Sequence, residues 1–293
     1  MGLEAPLQLI TCGGTISMDS NDNVRLPGSS DSLIDLVRSI RPDLEHVSHS
    51  ASDSSQFSPQ DWRDISTLVA ERSSRGPVLV THGTDTLAWT AAALALSGPF
   101  ANPVVITGSN VPLGESGSDG PRNVGGALQT LRMIREGVWV VFGGEAGDPL
   151  HVIQAGFATK RFSTGRSLCD VSNTPFAVIE DGVFTQVGAL RDIEPVHTIN
   201  GPVHVEFVWP GWRPIEVSEP NILLVVYHSA TAHDSVIEWG KGLIKQGHRV
   251  IAATQSQWNE QAYESSRAMI EAGIGITTLP LELAAVSMVL RNS

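Results

Sequence analysis

Two short stretches hold the side chains that could do chemistry. Thr81-His82-Gly83-Thr84-Asp85-Thr86 packs three hydroxyls and a carboxylate into six residues, and Thr11-Cys12-Gly13-Gly14-Thr15-Ile16-Ser17 sets further hydroxyls around a glycine pair. A threonine hydroxyl becomes a nucleophile only when a base takes its proton or its surroundings lower its pKa. A carboxylate next to such a hydroxyl can orient an ammonium group or a lysine. Gly13-Gly14 lets the backbone adopt positive φ or approach a ligand closely, leaving Thr15 just beyond it. Taken singly, each stretch reads more readily as a helix cap, since Ser, Thr and Asp at a helix start satisfy free N–H groups. Neither is a P-loop, because no Gly-Lys-Ser/Thr follows, and no Gly-x-Gly-x-x-Gly opens a helix after the first strand.

Both stretches follow apolar runs of strand character. Leu7–Ile10 precedes the first and Pro77-Val78-Leu79-Val80 the second, and Leu87–Leu94 after the second has helical spacing. Further strands are expected at Val104–Thr107 and Trp139–Phe142, with helices at Ser32–Ile40, Pro59–Ser73, Thr86–Leu96 and Arg122–Arg135. Such alternation indicates βαβ units and a mostly parallel sheet. In open α/β sheets ligands bind at the carboxyl ends of strands, so the two turns would face one crevice. Phe176–Ile179 and Val183–Val187 flank Asp181-Gly182 and predict an edge hairpin. Residues 191–220 hold five prolines and no helical period, which predicts a linker with some extended structure. Alternation then resumes with strands at Ile222–Tyr227 and Arg249–Ala253, and helices at Asp234–Gln246, Glu260–Ala272 and Leu281–Leu290. The expected fold class is α/β: a large N-terminal domain (1–190), a linker (191–220) and a small C-terminal α/β domain (221–293).

Bulk properties narrow the field. The 293 residues are 41% hydrophobic, enough for a sizeable core, and the net charge of −12 argues against a nucleic-acid or anionic-membrane partner. Two cysteines, Cys12 and Cys169, exclude a disulfide framework and a multi-cysteine zinc site. The nine histidines are scattered, and His46/His49 and His228/His233 lack carboxylate or cysteine ligands at site spacing, so no metal or other cofactor is expected. No apolar run is long enough to span a membrane, and Met1–Pro6 lacks a basic segment followed by an apolar one. A cytoplasmic protein is the default expectation.

In sequence order, the two turns resemble the signatures of the bacterial-type asparaginase family, a Gly-Gly-Thr-Ile turn and a His-Gly-Thr-Asp-Thr turn. The likeness continues through Asp53-Ser54-Ser55-Gln56 with Pro59-Gln60-Asp61-Trp62, through Thr107-Gly108-Ser109-Asn110 and Ser118–Asn123, and through Ala158-Thr159-Lys160, covering roughly residues 7 to 175. The resemblance implies an amidohydrolase acting on the side-chain amide of asparagine, glutamine or a related small molecule. Thr15 would attack to give an acyl-enzyme and ammonia, and Thr84, Lys160 and Asp85 would form a second hydroxyl–amine–carboxylate group. Asp85 would also hold the substrate ammonium, Ser54 and Ser55 its α-carboxylate, and the backbone around Thr84 and Ser109 the developing oxyanion. A buried lysine, losing proton affinity by desolvation, would suit the base role of Lys160. Asp119 is expected to cap the helix that Arg122 begins, and His82 to bond to backbone rather than act as a base. The resemblance further implies a homodimer or homotetramer with intersubunit sites, to which Tyr227-His228-Ser229 of the small domain could contribute.

The chain also departs from the family pattern. The family carries a lid tyrosine shortly after the nucleophile, whereas Met18–Ser30 has none and the comparable place falls near Val24-Arg25. Arg25 is a candidate substrate-facing residue there, or an ordinary loop arginine. The Tyr227–Ala232 loop lacks an asparagine that many members offer the partner's site, and Glu260, Glu264 and Glu282 are candidates for an acidic contact to the substrate. These departures leave three readings open: asparagine hydrolysis, action on another amide or as an ammonia-releasing amidotransferase subunit, and non-catalytic amino-acid binding. The amidotransferase subunits carry an extra N-terminal domain that is not expected here.

Overall fold

A computed structural model describes residues 5–21, 24–50, 52–143, 147–161, 168–193, 202–255 and 263–290. In chain order the elements of the first unit begin with β1 (Gln8–Cys12), β2 (Met18–Asn21), β3 (Val24–Pro27), α1 (Asp31–Ile40), β4 (Glu45–Ser50) and α2 (Pro59–Ser73). They continue with β5 (Val78–His82), α3 (Leu87–Ser97), β6 (Val104–Thr107), α4 (Gly120–Met133), β7 (Val138–Phe142) and β8 (Leu150–Gln154). The short strands β9 (Ala158–Lys160) and β10 (Leu168–Asp170) precede β11 (Ala177–Glu180) and β12 (Val183–Gln186). The second unit holds β13 (Val203–Phe207), β14 (Asn221–Val226), α5 (Asp234–Lys245), β15 (Arg249–Thr254), α6 (Glu264–Glu271), β16 (Gly275–Ile276) and α7 (Leu281–Leu290). The chain divides into these units between Asp192 and Ile193.

Eight strands form the first unit's main sheet in the order β12-β11-β8-β7-β6-β5-β1-β4. From β7 to β4 the pairings are parallel, and from β7 to β12 they are antiparallel. The parallel strands β1, β5, β6 and β7 are buried along their whole length, which is why they read as unbroken apolar runs. Alternate side chains feed two cores. Ile10, Val78, Val80, Ile106 and Val140 pack with Ile65 and Val69 of α2 and Leu87, Ala91 and Leu94 of α3. Leu9, Leu79, Val105 and Val141 pack on the other face with Leu33 and Val37 of α1 and Val124, Ala127 and Leu131 of α4. Full burial of each such side chain contributes roughly 1.5–3 kcal/mol, enough to fix the register of every strand end.

Local signals account for the boundaries. α2 starts at Pro59 because Ser58 closes a capping box, its N–H donating to Asp61 Oδ2 at 2.8 Å. The β11–β12 hairpin turns on Asp181 and Gly182 with φ of 48° and 76°, both positive as a tight primed turn requires. β12 and β4 are the two edges of the sheet.

The second unit is a four-stranded parallel sheet, β13-β14-β15-β16, with a core that includes Ile222, Leu224, Val226, Val236, Leu243, Val250 and Met269. Its first strand lies inside 191–220, where a linker with some extended structure is expected from the prolines. β13 pairs in parallel with β14 from Val203↔Asn221 to Phe207↔Val225. Pro202 and Pro210 flank this strand rather than interrupt it, so they mark its ends. Among the described residues, no helix is long and apolar enough to cross a membrane.

Candidate active site

Numbering only the parallel strands in chain order, the sheet reads 2-1-3-4-5, with β1 flanked by β4 on one side and β5 on the other. The topological switch point of this order lies between β1 and β5, and ligands bind outside the carboxyl ends of strands there. Thr15 follows β1, Thr84 and Asp85 follow β5, and Asp53 and Ser54 follow β4. These residues meet round a crevice of about 350 Å³ that Gly14, Met18, Gly83, Asn110 and Lys160 also line.

Glycine brings the turns together. Gly14 has φ 81°, and a Cβ on it would lie 2.2 Å from Gly83 Cα. A Cβ on Gly83 would in turn lie 2.5 Å from Ser54 Oγ. The turns of Gly14 and Gly83 therefore stack backbone against backbone, with the Ser54 side chain packed on Gly83 and a single-turn helix at Thr15–Ser17 following the glycine pair. Thr86 donates its hydroxyl to Ser54 O at 2.8 Å and makes no side-chain cap on α3, so the turn after β5 binds its neighbour rather than capping its own helix. His82 is fully buried, with Nδ1 2.8 Å from Gly83 O and Nε2 2.9 Å from Thr90 Oγ1. The carbonyl assigns the proton to Nδ1, leaving Nε2 to accept from Thr90. Burial pushes this imidazole down to about 4, so it is neutral and structural.

Ser54 is 1% exposed and, among the described residues, its Oγ has no hydrogen-bond partner, although it borders the crevice. A buried hydroxyl left unpaired costs about 1–3 kcal/mol, and a polar ligand in the crevice would repay it. Lys160 ends β9; its Nζ donates to Thr84 Oγ1 at 3.2 Å and pairs with the Asp85 carboxylate. The side chain is 35% exposed, not buried as expected, because it stands at the end of a three-residue strand on the crevice rim. Asp85 is 58% exposed. Among the chain's basic residues only Lys160, Lys241 and Lys245 are lysines, and Lys160 is alone in the first unit. That scarcity was a legible signal.

Other expected contributors lie elsewhere. Ser55 is exposed and its N–H is taken by Asp53 Oδ1 at 2.8 Å, so it does not line the crevice. Ser109 is fully buried and donates its hydroxyl to Val111 O at 2.8 Å; the crevice side is taken by Asn110. Asp119 stands at the N-cap of α4 but makes no side-chain cap. Its carboxylate instead accepts from the N–H groups of Asn110 at 2.9 Å and Val111 at 3.1 Å and from Asn123 Nδ2 at 3.1 Å. Asn123 also donates to Gly108 O and accepts from Gly143 N, which ties the ends of β6 and β7 together behind Asn110. Arg122 donates to Asp148 O. Asp53, Met18 and Asn110 are crevice residues that sequence reasoning did not single out.

The tyrosine-free stretch after Thr15 forms the β2–β3 hairpin, with Arg25 opposite Ser20 in register. The Arg25 side chain and Glu260 lie outside the described residues. In the second unit, Tyr227 and Thr231 form a β-bridge around Ala230, whose φ is 50°. Glu264 is exposed at the start of α6, and Glu282 is buried in the first turn of α7. His46 pairs with Thr11 Oγ1 at 3.1 Å, His49 lies 3.4 Å from Asp61, and His233 caps α5.

Comparison with known proteins adds an independent finding. The sequence model described as "Asparaginase, N-terminal" matches residues 7–185. An L-asparaginase of Thermococcus kodakarensis is 35% identical over 144 residues, covering 46% of this chain and 43% of the relative. One subunit of the glutamyl-tRNA(Gln) amidotransferase of Methanococcus vannielii is 26% identical over 200 residues, covering 64% of this chain and 46% of the relative. In both alignments the chain spans less than half of the relative's length. The solved thermostable L-asparaginase from Thermococcus kodakarensis shares the fold at a TM-score of 0.78 and 24% identity, over 96% of this chain and 90% of that one.

Proposed function

The chain belongs to the asparaginase family, and from that membership and the crevice we propose that it is an amidohydrolase of small side-chain amides. L-Asparagine is the first substrate to consider, with glutamine and related β- or γ-amides next. The observation that carries this reading is the hydrogen bond of 3.2 Å from Lys160 Nζ to Thr84 Oγ1 in the crevice that Thr15 also lines. A hydroxyl nucleophile, a second hydroxyl–amine pair and a carboxylate are the groups amide cleavage needs.

Thr15 Oγ1 attacks the amide carbon, and its proton reaches the leaving nitrogen through Thr84 and Lys160, so that ammonia departs and an ester remains. Water then adds its hydroxyl to the acyl carbon and returns a proton to Thr15. Asp85 holds the substrate ammonium and exchanges one cationic partner for another as substrate enters. Ser54 Oγ donates to the α-carboxylate, which supplies the partner that hydroxyl lacks. Homo-oligomerisation, with the Tyr227–Ala232 turn reaching a neighbour's crevice, belongs to the same proposal.

Ammonia release from L-asparagine, L-glutamine and their D-forms tests it, with Thr15→Ala and Lys160→Ala as controls. Both substitutions should remove turnover by about three orders of magnitude or more, the scale of losing a nucleophile or its proton-transfer partner. Equal turnover in wild type and Thr15→Ala would take Thr15 out of the mechanism, and saturable aspartate binding with no turnover of any amide would make the protein a binder. The likeness to the amidotransferase chain favours one second reading, in which the ammonia is passed to a partner enzyme; co-purification of a second chain would support it.

A further inference from the structure

Lys160 stands at the end of a short ladder. It ends a three-residue strand, β9, which among the described residues pairs with the equally short β10, with Lys160↔Leu168, Thr159↔Cys169 and Ala158↔Asp170 in register. Thr84 and Asp85 hold the tip of its side chain, and the placement of the strand that carries it depends on support beyond the ladder. Asp170, at the opposite end of that ladder, is completely buried and pairs with the guanidinium of Arg191, which arrives from beyond β12. Its other oxygen accepts from Ser172 N at 2.8 Å and Ser172 Oγ at 2.6 Å. The same guanidinium lies 3.8 Å from the centre of the Phe157 ring, three residues before Lys160. Val171 N donates to Phe157 O at 3.0 Å, so the stack and the ion pair clamp both strands at once. The Arg191 backbone is itself pinned, its N–H donating to Gln154 Oε1 at 3.0 Å and its carbonyl accepting from Gln154 Nε2 at 2.6 Å.

From this arrangement we infer that Arg191 is a positioning residue for Lys160, setting its reach to Thr84 through the Asp170 pair and the Phe157 stack. The inference rests on the proposed role of Lys160 and deepens it. Two physical arguments favour placement over stability. Asp170 is buried while the Arg191 side chain is 31% exposed, and an ion pair that draws a carboxylate out of water is often replaceable by apolar residues at no loss of stability, so its presence here is better explained by geometry. A planar guanidinium can cover the Phe157 face while one nitrogen pairs with Asp170 and another donates to Ser172 Oγ at 3.4 Å, which an ammonium cannot do together. The rigid support runs on from there: the turn at Ala155–Phe157 packs against α3, whose N-terminus follows Thr84–Thr86.

The test uses the full chain and exploits its three lysines, which give three resolvable signals when lysine is labelled with 13C at Cε. Lys160→Ala identifies the Lys160 signal. Arg191→Met should lower kcat for ammonia release from L-asparagine by about 10–100-fold, the scale expected of a shift near 1 Å at a catalytic group. KM should stay within about threefold, since substrate contacts are untouched. The Lys160 signal should change in position and titration, and those of Lys241 and Lys245 should not. Arg191→Lys should restore only part of kcat. Phe157→Leu, which keeps the ion pair and removes the ring, should lower kcat several-fold with the same spectral change, and it decides the matter if Arg191→Met does not fold. Unchanged kcat, or a lowered kcat with a wild-type Lys160 titration, overturns the inference. Wild-type turnover in Lys160→Ala would instead overturn the catalytic role of Lys160, while the spectra still report whether Arg191 places it.

Discussion

Replacing Gly14 by alanine should force the two halves of the crevice apart. The residue sits at φ 81°, ψ 179°, a region nearly closed to residues with a Cβ, and occupying it costs about 1–3 kcal/mol. The new Cβ would also lie 2.2 Å from Gly83 Cα and 2.3 Å from Gly83 N. Carbon atoms in ordinary contact are about 3.5–4.0 Å apart, so the turns after β1 and β5 must separate by more than about 1 Å. Gly83 cannot simply retreat, because its own Cα faces Ser54 at a distance that leaves no room for a methyl group. Overpacking of this kind adds about 1–3 kcal/mol, which brings the expected loss of stability to about 4 kcal/mol. Thr15 and Thr84 move relative to each other by the same displacement, and misplacement by about 1 Å costs about 100-fold in rate. Urea unfolding and ammonia-release kinetics on the same preparation measure both quantities. A Gly14→Ala protein with the wild-type urea midpoint and wild-type kcat/KM would refute the close approach of the two turns.

Two further outcomes follow from buried polar groups. Ser54→Ala breaks no hydrogen bond within the protein, since Ser54 Oγ has none, so thermal stability should hold or rise by about 1 kcal/mol while KM for L-asparagine rises; a clear fall in melting temperature would contradict the unpaired hydroxyl. His82 titrates at about 4 in the folded chain and near 6.5 in the unfolded one, so the unfolded state takes the proton first as pH falls. Its contribution is therefore complete above about pH 6.5 and is lost progressively towards pH 4, by about 3 kcal/mol in all. His82→Asn should remove that part of the slope of urea midpoint against pH, whatever its absolute stability, and identical slopes in the two proteins would show that the buried imidazole is not responsible.

The parallel core was legible because its strands are buried on both faces and its helices carry plain start signals. The Pro59–Ser73 and Leu281–Leu290 helices fall where periodicity places them, and Asp181-Gly182 marks its hairpin. β4 was not legible: Glu-His-Val-Ser-His-Ser is a polar edge strand, half-exposed along its length, with no apolar run to give it away. β13 was hidden by flanking prolines that look like a linker. Thr15, Thr84 and Asp85, read from turns at strand ends, line the crevice, and so do Ser54 and Lys160, which only the family resemblance pointed to. Side-chain direction was not readable in the same way. Ser55 sits one residue from crevice-lining Ser54, and a single-residue offset at a turn sends a side chain elsewhere; for Ser109 the expected contribution is its backbone, which its buried hydroxyl does not bear on. Asp119 bonds to the loop that folds back over it, eight and nine residues earlier, and local capping rules look only forward.

The position of β1 in the sheet also sets the order in which this crevice can come into being. Both hydrogen-bonding neighbours of β1 are made after it, β4 ending at Ser50 and β5 at His82. At about 5–20 residues per second of synthesis, this buried apolar strand spends several seconds without its second partner, far longer than chain collapse takes. Parallel pairing at such sequence separation is intrinsically slow, and the unpaired strand is the segment most exposed to mispairing during that interval. The turns bearing Thr15, Ser54 and Thr84 can meet once β5 is complete. The cation of Lys160 arrives only after β8 has been added, and its clamp at Arg191 only after the whole first sheet. A ribosome-bound chain therefore carries the turns of Thr15, Ser54 and Thr84 before it carries the cation that completes their crevice.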